Sequence, residues 1–184
     1  TAGRRLARIG LENTEANRLT YRRLFLDTEG IEAHLNGVIL FTETMRQESE
    51  SGEPFAPALA GRDIIPGVKL DLGTEPLPGF PGEEVTEGLD GLPVRAAQYR
   101  AMGARFAKWR TVIHIGAKIP TDEAVHINAI TQARYARIAQ EAGLVPIIEP
   151  EVLLDGNHSL ARAEKVTTEM VSHTLYQCDR FRVD

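Results

Sequence analysis

Three short runs, GVKLDLG (67–73), FAKWRTVIHIG (106–116) and VPIIEPEVLLDG (145–156), each alternate apolar with charged residues, and this constrains the fold more than any other feature of the chain. Side chains of a strand point to opposite faces in turn. Lys69 and Asp71 therefore share one face of the first run, opposite Val68, Leu70 and Leu72. Phe106, Lys108 and Arg110 share a face of the second, opposite Ala107, Trp109 and Thr111. Ile147, Glu149 and Glu151 repeat the pattern in the third, opposite Pro146, Ile148 and Val152. Each run has an apolar face suited to lying under helices and a second face with paired charges near its end.

The segments between these runs have helical character. ENTEANRLTYRRLFLDT (12–28) spaces Leu19, Arg22, Arg23 and Leu26 as a helix does, with Asn13 or Thr14 as cap and acids in the first turn. GVILF (37–41) reads as a strand rich in branched residues. Further helices are predicted over about 90–103, 122–142 and 158–176. A polar stretch after GVILF and the Gly/Pro-rich TEPLPGFPGEEVTEG read as surface connections. No low-complexity segment or linker divides the chain. Strands alternating with helices imply parallel pairing through crossovers, hence an α/β class.

An open doubly wound sheet is covered by helices on both faces, and its strands read apolar throughout. Inward charges on three successive strands fit a barrel with a polar mouth better. The charged positions recur at 69, 108 and 149, spacings of 39 and 41 residues. A closed eight-unit barrel at that spacing needs about 320 residues, so 184 residues hold about half of one. The expectation is one incomplete (β/α)8 TIM barrel domain over residues 1–184, comprising strands 2 to 5 with their helices. The chain itself is expected to be a fragment.

Bulk composition narrows the partners. A net charge of −5 leaves no cationic excess to neutralise nucleic acid or a membrane surface, though a local cluster still suits a small anion. The single Cys178 excludes an internal disulfide framework and fits a reducing, cytoplasmic setting. No apolar stretch approaches the ~20 residues of a membrane span. The five histidines lack HxH, HxxH or HxxxH spacing, so no metal site and no cofactor are expected.

Ionised groups withdrawn from water must pair or bind something. Adjacent parallel strands lie about 4.8 Å apart, within reach of long side chains such as Lys108 and Glu149. A partly desolvated glutamate with a raised pKa can shuttle protons, while the neighbouring cations hold an anionic substrate. The bland alternative is a network of ion pairs without chemistry. His114 has the same inward parity but reads as structural, Asp155 and His158 sit near the site edge, and Arg4, Arg5, Arg8 and Arg18 read as either a solvated helix face or phosphate contacts.

ENTEANR, GVILFTET, GVKLDLG, GLDGL, FAKWR and VPIIEPEVLLDGNH, in this order and spacing, together resemble class I fructose-1,6-bisphosphate aldolase across essentially the whole chain. Each motif is weak alone, but FAKWR followed by the EPE strand is specific. The resemblance implies a metal-independent (β/α)8 barrel, a cytoplasmic homotetramer, which reversibly cleaves fructose 1,6-bisphosphate to dihydroxyacetone phosphate and glyceraldehyde 3-phosphate through a Schiff base on lysine. It implies that Glu149 is the general acid/base, Glu151 its neighbour in the charged network, and Lys108 a positioning and proton-transfer group. Lys69 and Arg110 would contact sugar hydroxyls or a phosphate. Thr1 stands where the family has a phosphate-binding serine, Arg5 where it has a phosphate-binding arginine, and Arg18 matches another arginine of the substrate region. His114 stands where animal members commonly have lysine.

The family's Schiff-base lysine sits in a motif like GTLLKPNM, which these 184 residues do not contain. The chain alone is accordingly expected to be inactive. Two rival readings remain: a transaldolase-like lyase using Lys108 as nucleophile, and a non-catalytic sugar-phosphate or cytoskeleton-binding protein on the same scaffold.

Overall fold

The computed structural model describes residues 2–184. Four strands form one parallel sheet in the spatial order β1 (Gly37–Leu40), β2 (Ile65–Lys69), β5 (Phe106–Ile113), β6 (Val145–Val152). Helices alternate with them: α2 (Glu15–Leu26) before β1, α3 (Phe55–Ala60) before β2, α4 (Leu92–Ala101) before β5, α5 (Asp122–Glu141) before β6, and α6 (Leu160–Arg180) last. A seven-residue α1 (Ala2–Arg8) opens the described chain.

The helix starts follow from side-chain caps. Thr14, Thr121 and Ser159 each accept a backbone N–H three residues on, from Asn17, Ala124 and Arg162, all at 3.2 Å. Each satisfies an amide that the first turn leaves free. Asp122 and Glu123 add favourable charge at the start of α5.

The outer face of the sheet holds the core. Ala107, Trp109 and Thr111 are fully buried beneath α5, and Val68 and Leu70 on β2 and its extension are buried in the same core. The α5 face against them is small and alanine-rich, with Ala129, Ala133, Ala136 and Ala139, which lets the helix lie close to the strands. Tyr135 stacks on Trp109 with centroids 5.1 Å apart, and Gln132 donates to the Thr111 hydroxyl at 2.5 Å. The inner face is layered. The Phe106 ring lies across Gly37 of β1 and Gly67 of β2, and a carbon added at Gly67 would run into it. Above this apolar floor comes the charged layer.

Two segments depart from the sequence reading. TEPLPGFPGEEVTEG forms an antiparallel hairpin, β3 (Gly73–Pro76) with β4 (Glu84–Glu87), pairing Thr74 with Thr86 and Glu75 with Val85. Gly73 and Pro76 close the ends of the first arm, Gly79 and Gly82 take positive φ in the turn, and Thr74, Val85 and Thr86 supply strand-forming residues to the arms. The polar stretch before β2 contains α3, sequence FAPALA. Pro57 sits in its first turn, where a missing N–H costs nothing.

Among the described residues no helix is long and apolar enough to cross a membrane.

Candidate active site

The registers of β2, β5 and β6 bring the charged positions together. Lys69 lies opposite Lys108, Arg110 opposite Glu149, and Val112 opposite Glu151. Lys69 closes β2, whereas Lys108 and Arg110 are the third and fifth residues of eight in β5. The expected position at strand ends therefore holds for β2 but not for β5. Parallel strands of a barrel wall are staggered, so the early part of one strand can stand level with the end of its neighbour.

Side chains cross the strand boundaries diagonally. The Lys108 ammonium is 2.5 Å from the Glu149 carboxylate, the two side chains being 23% and 33% exposed. Arg110 forms an ion pair with Glu151 and stands 4.0 Å from Glu149. Lys69 pairs with Asp71 on its own chain segment and donates also to the Asp71 carbonyl at 3.0 Å. Lys69, Lys108, Arg110, Glu149 and Glu151 thus share one side of the sheet, opposite the buried Ala107–Trp109–Thr111 face. Thr86 of the hairpin donates to the Arg110 carbonyl at 2.9 Å, and Glu84 lies 3.7 Å from His114. The hairpin forms one rim of the site.

The electrostatics follow from these contacts. Burial lowers the Lys108 pKa, opposed by the charges of Asp71 and Glu151 and reinforced by Arg110 and Lys69. The hydrogen bond from Arg110 holds Glu151 below the usual carboxylate range and outweighs burial, which acts upward. Glu151 therefore moves opposite to what desolvation alone would give. A lysine whose pKa burial pushes down, in contact with a carboxylate, makes a pair suited to passing a proton to and from a bound molecule.

A cavity of about 760 Å³ adjoins Lys69 and lies between α2 and β1, lined among others by Arg18, Tyr21, Arg22, Phe41 and Glu43. Arg18 lines it, but its guanidinium is already held: Glu43 takes two of its bonds, at 2.6 and 2.9 Å, and Asn13 two more. Arg22 reaches the same carboxylate at 2.5 Å. Arg5 is exposed on α1 and donates to the Tyr21 hydroxyl at 2.5 Å, one side chain away from the cavity. Thr1 lies outside the described residues. Sequence reasoning placed Asp71 on the inner face without a role and gave Glu43 no part. Their signals were the two-residue step from Lys69 and the acid that ends GVILFTE. Among the described residues no group of three or more His, Cys, Asp or Glu side chains is placed to hold a metal ion.

The chain is similar to known proteins along nearly its whole length. The family model for fructose-bisphosphate aldolase class-I matches residues 1–183. A probable fructose-bisphosphate aldolase class 1 of Xanthomonas campestris pv. campestris is 51% identical over 167 residues, covering 91% of this chain and 50% of that protein. A protein of Arabidopsis thaliana named fructose-bisphosphate aldolase 6, cytosolic, is 49% identical over 172 residues, covering 94% and 48%. The solved structure of Plasmodium falciparum fructose-bisphosphate aldolase, in complex with TRAP and a small-molecule inhibitor, superposes with a TM-score of 0.92 at 44% identity, covering 97% of this chain and 52% of that one. The chain spans about half the length of the curated relatives it matches. The parallel wall of strands and helices is part of a TIM barrel, as the sequence led us to expect.

Proposed function

The chain belongs to the class I fructose-bisphosphate aldolase family, and from that premise we propose that it supplies the acid/base and cationic part of an aldolase site. The reaction is the reversible cleavage of fructose 1,6-bisphosphate to dihydroxyacetone phosphate and glyceraldehyde 3-phosphate, by a Schiff base and without a metal. The observation that carries this reading is the Lys108–Glu149 contact of 2.5 Å, flanked by Arg110–Glu151 on the inner side of a parallel wall.

Glu149 is the group that gives and takes protons as the Schiff base forms and loses water. Lys108 holds it and shares its proton, and Glu151 fixes Arg110 in place. Lys69 and Arg110 present cations to the sugar hydroxyls or a phosphate. Arg5, Thr1 and Arg18 complete the anion contacts; Arg18 does so by exchanging part of its Glu43 fork for phosphate oxygens. The nucleophile is a lysine other than the four in this chain, at positions 69, 108, 118 and 165. The complete protein works in the cytoplasm, in keeping with the cytosolic relative, and assembles as a homotetramer.

Borohydride trapping with dihydroxyacetone phosphate tests this in the complete gene product that carries these residues, followed by peptide mapping. An adduct on a lysine outside this chain is expected, together with aldol cleavage. An adduct on Lys108 would transfer the assignment to a transaldolase-like lyase, and no adduct with no cleavage would favour a binding protein.

A further inference from the structure

Asp71 is the most deeply buried charge of the cluster, its side chain 3% exposed, and the mechanism above gives it no part. It lies just past the end of β2, where its backbone is no longer paired as strand. One carboxylate oxygen takes the Lys69 ammonium and the Gly73 N–H at 3.2 Å; the other faces the Arg110 N–H at 3.4 Å. The carboxylate therefore touches a site cation, the start of the hairpin and the backbone of β5.

Charge counting gives the cluster its logic. Lys69, Lys108 and Arg110 are balanced by Asp71, Glu149 and Glu151. Glu149 and Glu151 are already engaged by Lys108 and Arg110, so Asp71 is the counter-charge of Lys69. Without it Lys69 would be an unopposed cation in the row beside Lys108, its register partner.

We propose that Asp71 is a positioning residue of this site: it folds Lys69 back onto its own strand and ties that cation to the start of the hairpin and to the β5 backbone at Arg110. This rests on the aldolase reading above. The Lys108 ammonium feels Asp71 as an upward influence, against burial and against Arg110 and Lys69. The other carboxylates acting on it are Glu149, in direct contact, and Glu151, both on β6, while Glu84 at the hairpin rim pairs with His114 and acts on Arg110. Arg95 of α4 reaches only the carbonyls of Leu70, Gly88 and Asp90 nearby. Arg18 and Arg22 of α2 face the Lys69 side of the cavity and share the single carboxylate of Glu43.

A purely structural Asp71 would only tie the Gly73 turn to β5. Asn at this position keeps the shape but has a single acceptor oxygen, so it can accept from the Gly73 or the Arg110 N–H but not from both, and it carries no charge. In the complete gene product, Asp71→Asn should fold with a lowered melting temperature, since one buried N–H loses its acceptor, and should lower kcat by about tenfold or more. The basic limb of the kcat/KM profile should move to lower pH, because Lys108 gives up its proton more easily. An unmoved profile with parental kcat overturns the proposal. Should Asp71→Asn fail to fold, Lys69→Met removes the opposing cation and must move the same limb to higher pH; an unmoved limb is again contrary. Parent protein that cleaves no fructose 1,6-bisphosphate overturns the aldolase reading and this inference with it, whereas parental cleavage with either contrary profile overturns the role of Asp71 alone.

Discussion

Across the β5–β6 boundary, Lys108 and Glu149 stand 2.5 Å apart although they are not register partners: Lys108 lies opposite Ile147, and Glu149 opposite Arg110. The ion pairs run diagonally, two residues forward for each step to the next strand, and Arg110 repeats the step to Glu151. Alternation along each strand decides which residues face inward, while stagger between strands decides which of them meet.

Glu149→Gln keeps the shape and removes the group that accepts a proton from Lys108. In the complete gene product turnover of fructose 1,6-bisphosphate should fall by about 10²-fold or more, the range for a lost acid/base. Turnover within a few-fold of the parent would remove Glu149 from the mechanism.

Arg110→Met deprives Glu151 of the hydrogen bond that holds its pKa down. The Glu151 carboxyl should then titrate at higher pH, and the acidic limb of kcat/KM should move upward with it. An acidic limb at the parental position would show that Glu151 does not contribute to it.

Glu43, held by Arg18 and Arg22, has its pKa lowered from the ordinary 4.5 to about 2. A carboxylate depressed in the folded state adds stability that is full above its unfolded pKa and lost as pH falls through the folded one. The window therefore runs from about 4.5 down to about 2. Melting temperatures at about pH 6 and about pH 3 should differ less in Glu43→Gln than in the parent. Equal differences would contradict this linkage.

Gly67→Ala puts a carbon into the space of the Phe106 ring. Overpacking of this kind costs about 1–3 kcal/mol, measured by denaturant unfolding. Adding Phe106→Leu should recover part of the loss, since residues in contact are coupled. Strictly additive effects of the two substitutions would mean that the ring moves away freely.

The α/β class and the inward face of each charged strand were legible because both rest on local periodicity, as in Lys108–Trp109–Arg110. Trp109 is fully buried, while its two neighbours line the site. The helix α3 was hidden because Pro57 reads as a breaker in a window that ignores its place in the first turn. The hairpin was hidden by the composition of its own turn. Tertiary facts were out of reach. The engagement of Arg18 depends on Glu43, 25 residues away, and the burial of Asp71 depends on the packing around it, including the β5 backbone at Arg110. Local spacing marks the two acids but says nothing of the groups they meet.

The aromatic floor beneath the charges has a bearing on how such chains diverge. One ring fills the room that side chains at two other positions would have occupied, so 37, 67 and 106 cannot drift singly. Descendants that exchange the ring for something smaller are the ones free to gain bulk at 67, whereas at 37 the Ile65 carbonyl oxygen still stands 3.0 Å from any added carbon, so 67 and 106 should be inherited as a matched pair.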